Sequence, residues 1–149
     1  MEGKEMDLSK GLPVSIHLET EVDQGGEHTQ FIFDLMGQIV TIGDTIYIRY
    51  KETTDEGQQV PVTLKVEPDG KVQLTRSGEN RMRLKFDYRR KIETFYQTPY
   101  GQFAITTFTK DMHFSLRDTP VAGALKLDYE LLAGPEKMGD YRLNLQFSA

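Results

Sequence analysis

Val14-Ser15-Ile16-His17-Leu18-Glu19-Thr20-Glu21-Val22 alternates without a slip. Val14, Ile16, Leu18, Thr20 and Val22 fall on one side of an extended chain, and Ser15, His17, Glu19 and Glu21 on the other. That is a strand with one buried and one wet face. Downstream, Gln24-Gly25-Gly26-Glu27 predicts a hairpin, because paired glycines accept the positive φ of a tight turn. Thr29, Phe31, Phe33 and Leu35 then share the apolar face of a second strand, which Gly37 is expected to bend or bulge. Ile46, Ile48 and Tyr50 define a third strand and Val60, Val62, Leu64 and Val66 a fourth. Phe33 and Leu64, both in mid-strand, are read as core.

Pro68-Asp69-Gly70 and Ser77-Gly78-Glu79-Asn80 are turns by composition. Val72 with Leu74, and Met82 with Leu84 and Phe86, continue the apolar face, followed by a strand over Ile92–Thr98. Gln102–Leu116 is long and its parity slips. Phe103 and Ile105 share one face while Phe108, Met112, Phe114 and Leu116 share the other, so a bulge is expected near Thr106 or Thr107. Leu125, Leu127, Tyr129 and Leu131, then Tyr141, Leu143, Leu145 and Phe147, complete the series. No stretch carries the i, i+3, i+4 stripe of an amphipathic helix. Eight to ten strands joined by short turns make a meander, and closure into an antiparallel up-and-down barrel removes the exposed edges. A two-sheet sandwich is the alternative. The barrel domain is expected over residues 13–149, behind a flexible polar tail at 1–12.

Certain fragments in this order resemble a known family. They are Ile42-Gly43-Asp44-Thr45-Ile46-Tyr47-Ile48-Arg49-Tyr50, Thr75-Arg76-Ser77-Gly78 with Met82 and Phe86, Tyr96-Gln97-Thr98-Pro99-Tyr100-Gly101, and Leu127-Asp128-Tyr129-Glu130. Together they are similar to the YwiB-like bacterial proteins of unknown function, and the likeness runs from about Pro13 to Phe147. The resemblance implies a calycin-like, that is lipocalin-like, barrel and a bacterial cytoplasmic origin. It brings no activity or site to transfer.

The 149 residues suit a single domain, and the absence of cysteine excludes disulfides, thiolate metal sites and a cysteine nucleophile. A reducing cytoplasm is the expected location. No run approaches the roughly 18 apolar residues of a membrane span, and the charged N-terminus lacks the apolar core of a secretion signal.

Net charge is −5, unevenly spread. Met1–Gly70 holds 5 basic and 14 acidic residues, Lys71–Lys91 holds 8 and 2, and the remainder 5 and 7. An acidic whole with one basic block argues against general nucleic-acid binding, which rests on broad phosphate neutralisation. Arg81, Arg83 and Lys85 share one strand face, flanked by Arg76 and Arg89. Tyr96 and Tyr100, near strand ends, are placed to stack a ring-bearing ligand, although filling the core is the commoner use of such aromatics. These seven residues are the candidate site for a small anionic ligand, in or at the mouth of the barrel. Whether the basic face points into the lumen or to solvent decides its meaning. In the lumen it calls for a compensating anion, and outside it is a solvated face whose neighbours, such as Glu93, pair with it weakly.

Catalytic chemistry has no motif behind it. His17, His28 and His113 lack metal-ligand spacing; His17 and Glu19 share a face but want a third ligand. Ser77 lies in a turn and not in a nucleophile elbow, and no glycine-rich loop leads into a helix. No metal and no cofactor are expected. The reading is a non-enzymatic ligand-binding barrel; the alternative is an interaction module whose basic face docks on an acidic protein partner, or on the acidic N-terminal half of a second copy to give a homodimer.

Overall fold

The computed structural model describes residues 8–149, and the alternating runs become ten strands. In order they are β1 (Leu12–Gln24), β2 (Glu27–Ile42), β3 (Thr45–Thr53), β4 (Gln59–Val66) and β5 (Val72–Ser77). Then come β6 (Arg81–Phe86), β7 (Lys91–Thr98), β8 (Gly101–Asp118), β9 (Val121–Ala133) and β10 (Glu136–Ser148). Each pairs antiparallel with the next, and β1 pairs with β10 from Ser15 opposite Ser148 to Asp23 opposite Asp140, so the meander closes into a barrel. There is no helix among the described residues, and none is long and apolar enough to cross a membrane.

Strand length divides the wall. β8, β9, β10, β1 and β2 run 13 to 18 residues, whereas β3 to β7 run only 6 to 9. The inward side chains form one buried cluster that includes Ile16, Leu18, Ile48, Leu64, Phe86, Leu125, Leu145 and Phe147. Phe86 meets Tyr129 edge-on at 4.6 Å between ring centres, and Tyr129 stacks on Tyr141 at 5.4 Å. Burial holds the hydroxyls of Tyr50 and Tyr129 far above the ordinary tyrosine pKa, so both stay neutral.

Long strands outrun short ones, and two stretches of edge result. The β2–β3 ladder covers only Gly37–Ile42, leaving Glu27–Met36 paired to β1 alone. The β7–β8 ladder stops at Phe108, and past the bulge at Lys110 residues Asp111–Asp118 are paired to β9 alone.

Several expectations meet a different outcome. Leu64 is fully buried, but Phe33 is 40% exposed, because its part of β2 extends past β3 and nothing lies over it. Gly37 introduces no register shift into the β1–β2 ladder. Its value is closeness: a Cβ there would lie 2.5 Å from the Arg49 carbonyl oxygen, at the point where β3 leaves β2. The bulge in β8 falls between Thr109 and Asp111, so Thr107 and Thr109 point inward, buried, while Phe108 points out. A second bulge, between Lys137 and Gly139, was not signalled by the alternation. Residues 1–7 of the expected tail lie outside the described residues. Leu8 is buried in the core, and its carbonyl accepts from the amides of Gly11 and Thr41, so the attached part of the chain begins before residue 12.

Candidate functional site

β6 answers the question of where its cations point. Leu84 and Phe86 are buried and Met82 packs against the core, which sends Arg81, Arg83 and Lys85 to the outside, all exposed. Of the two placements the sequence leaves open, the cations take the external one, since the apolar face of the strand takes the interior. On one flank β6 pairs along its whole length with β5. On the other it pairs with β7 at only two positions, Arg81 with Gln97 and Met82 with Tyr96.

Beyond those two pairs the strands part, and backbone carbonyls of β6 lose their ladder partners. Two buried threonines replace them. The Thr94 hydroxyl donates to the Arg83 carbonyl at 2.5 Å, and the Thr107 hydroxyl reaches through from β8 to the Lys85 carbonyl. The barrel stays hydrogen-bonded there while its outer surface opens into a groove of about 430 Å³. Arg81, Arg83 and Lys85 line one bank, with Glu93, Phe95 and Gln97 opposite. None of the three cations forms an ion pair among the described residues, Glu93 included. Cations at i, i+2 and i+4 on a strand stand about 6.7 Å apart, close enough to repel one another.

The other four candidate residues are elsewhere. Arg76 points inward at the barrel end, its Nη2 donating to Glu52 at 2.8 Å while its buried Nε has no partner. Tyr96, on the inner side of β7, accepts a hydrogen bond from Asn80 at 2.9 Å. These two share a depression of about 230 Å³, distinct from the groove. Arg89 occupies the turn before β7 with φ of 60° and lies over the Phe108 ring at 5.6 Å, and Tyr100 stands almost fully exposed in the turn after β7. Sequence reasoning missed Thr94 and Thr107, whose only signal was a threonine in each of two inward positions.

A larger concavity, about 780 Å³, lies on the outside of the long-strand wall. His17 sits in it with Nδ1 2.7 Å from Asp34 and Nε2 3.2 Å from Glu19. The hydrogen bond to Asp34, then that to Glu19, raises the imidazole pKa above 6.5. His28 is tied in the same manner to Asp23, at 2.6 Å. Among the described residues no group of three or more His, Asp or Glu side chains is arranged to hold a metal ion.

Fold and surface define a ten-stranded closed antiparallel barrel with a filled centre and its concavities on the outer wall and at its ends. The chain belongs to the family described as Domain of unknown function (DUF1934), whose pattern matches residues 16–145. It is 24% identical over 130 residues to the Uncharacterized beta-barrel protein YwiB of Bacillus subtilis (strain 168), covering 87% of this chain and 89% of that one. The crystal structure of the ywiB protein from Bacillus subtilis superimposes with a TM-score of 0.82 at 20% identity, over 96% of this chain and 95% of that chain. These likenesses establish the family and the fold.

Proposed function

We propose that this protein is a non-enzymatic binding barrel that takes a small, multiply charged anion in the groove between β6 and β7. The observation that supports the reading is the row Arg81, Arg83 and Lys85, three cations on one bank of a concavity with no carboxylate paired to them among the described residues. Unpaired like charges held side by side favour a ligand that neutralises more than one of them, and their roughly 6.7 Å spacing suits an extended anion over a compact one. On the far bank Phe95 and Gln97 offer an apolar surface and a hydrogen-bonding amide for the rest of such a ligand, while the Glu93 carboxylate beside them disfavours an anion reaching that side. Cytoplasmic residence goes with this reading, supported by the cysteine-free sequence.

Thermal unfolding with and without added inorganic triphosphate, pyrophosphate or phosphate tests it. A ligand bound by the folded state alone raises the melting temperature by mass action. The parent protein is expected to respond to millimolar triphosphate more than to phosphate, and the Arg81→Gln/Arg83→Gln double variant to neither. All three substituted or retained side chains are exposed, so the fold is not at risk. An unshifted parent, or an equal shift in the double variant, removes the groove from consideration.

A further inference from the structure

A different part of the molecule points to self-association. Along Glu27–Met36 the far edge of β2 has no ladder partner among the described residues, so its backbone N–H and C=O groups face outward. Phe31, Ile32, Phe33 and Met36 lie on that edge 47%, 56%, 40% and 64% exposed, on both faces of the strand. Native edges are normally blunted by lysine, proline, a bulge or a covering loop. Among the described residues this one lacks them: the segment contains no Lys, Arg or Pro, its charged side chains are the carboxylates Glu27 and Asp34, and its ladder to β1 runs without a shift.

The second free edge in the barrel shows what protection looks like. Lys110–Asp118 of β8 carries Lys110, Asp111, His113, Arg117 and Asp118, and it begins at a bulge. Its inner residues Met112 and Phe114 face the turns at Pro68–Gly70 and Asp87–Tyr88 across a cleft of about 580 Å³. One edge carries two cations and a bulge, and the other carries neither.

From this we infer that β2 is the dimerisation strand, and that its occupant is β2 of a second copy, antiparallel about Phe31. A two-fold axis normal to the sheet keeps opposed side chains on one face, so residues of like parity must meet. Centred on Phe31, the register sets Phe31 on its own copy, Thr29 opposite Phe33, and His28 opposite Asp34, twice each. His28 and Asp34, each already hydrogen-bonded to Asp23 and His17 of its own copy, would extend those pairs into one alternating imidazole–carboxylate row on each side of the axis, and the aromatic and β-branched pairs are of the kind that stabilise sheets. The basic row of β6 offers no such match, since a second copy would bring cation onto cation. The inference is independent of the anion groove.

A chain with no cysteine allows a clean test. Opposed residues across antiparallel strands have Cα atoms about 4.5 to 5.5 Å apart, within disulfide range. Phe31→Cys is therefore expected to cross-link quantitatively under mild oxidation. Met36→Cys, about 33 Å from its copy in this register, is not. Sedimentation equilibrium of the unmodified protein is expected to give twice the chain mass. Ile32→Lys, at an exposed position, is expected to weaken association at least tenfold while circular dichroism stays unchanged. A chain that remains monomeric up to millimolar concentration overturns the inference, as does equal cross-linking of the two cysteine variants or an Ile32→Lys protein that still dimerises. Open-ended growth of mass, which would mean β2 adding to β8 of the next molecule, overturns it as well.

Discussion

β2 and β8 face each other's problem in opposite ways. Both are long strands that outrun their neighbours, and both leave a stretch paired on one side only. In β8 the inward residues still reach the interior: Phe114 packs against the core and stacks on Phe147 at 6.5 Å between ring centres. In β2 the inward parity of Phe31 and Phe33 leads nowhere, and the two rings stack on each other at 6.4 Å in the open. The charge at each edge differs as well. Lys110 and Arg117 put cations on the β8 segment, Lys110 being held on its paired side by Asp140 at 3.0 Å and Asp128 at 3.6 Å. The β2 segment has no lysine or arginine, and its Asp34 pairs with His17 of β1 at 2.7 Å. The lesson is that period-two alternation reports which way a side chain points and not whether anything is there to meet it.

Truncation should separate the two strands most sharply. Leu64→Ala, in the fully buried centre, is expected to cost about 2 to 5 kcal/mol, and Phe114→Ala about 2 kcal/mol for its part-buried ring. Phe33→Ala, measured on dilute protein by chemical denaturation, is expected to cost under about 1 kcal/mol. Equal losses at Phe33 and Phe114 would erase the distinction between the edges.

The contrast can be refined within β8. Thr107 supplies the hydroxyl that satisfies the Lys85 carbonyl, whereas the Thr109 hydroxyl is buried without a partner among the described residues. Thr107→Val is expected to destabilise by about 1 to 3 kcal/mol, and Thr109→Val to be neutral or stabilising by up to about 1 kcal/mol. Urea midpoints of the two isosteric variants check this, and a costly Thr109→Val would mean its hydroxyl is engaged after all.

The smallest effect concerns His17, which is partly exposed. Its pKa is raised in the folded chain, chiefly by Asp34, so its pairing stabilises fully below the unfolded value near 6.5 and fades as pH rises through the folded one. An NMR titration of His17 should give a midpoint above 6.5, moving down in Asp34→Asn. A midpoint at or below 6.5 would show that Asp34 does not hold the His17 imidazole.

Much of the fold was legible because alternation and turn chemistry are local. The strands, the Gly25-Gly26 hairpin and the inward series of β4, β6, β9 and β10 follow from residues next to one another. What escaped depends on neighbours distant in sequence. Phe33 is exposed because β3 departs at Tyr50; Phe108 faces out because Thr107 must reach a carbonyl on β6. The cations of the candidate groove could be picked from charge alone. The splaying that makes the groove rests on Thr94 and Thr107, and no spacing rule announces a threonine that substitutes for a ladder.

The ladder between β1 and β10 carries a consequence in time. Ser15 and Ser148 pair although nearly the whole domain lies between them, so the first strand to leave a ribosome waits for the tenth. Hairpins can form as they emerge, but closure must overcome the entropy of a very long loop, which places such topologies in the millisecond-to-second range of folding. Until then β1 and β9 each expose an edge that the finished ring hides, and the nascent chain is at its most vulnerable to mispairing just before its last strand arrives.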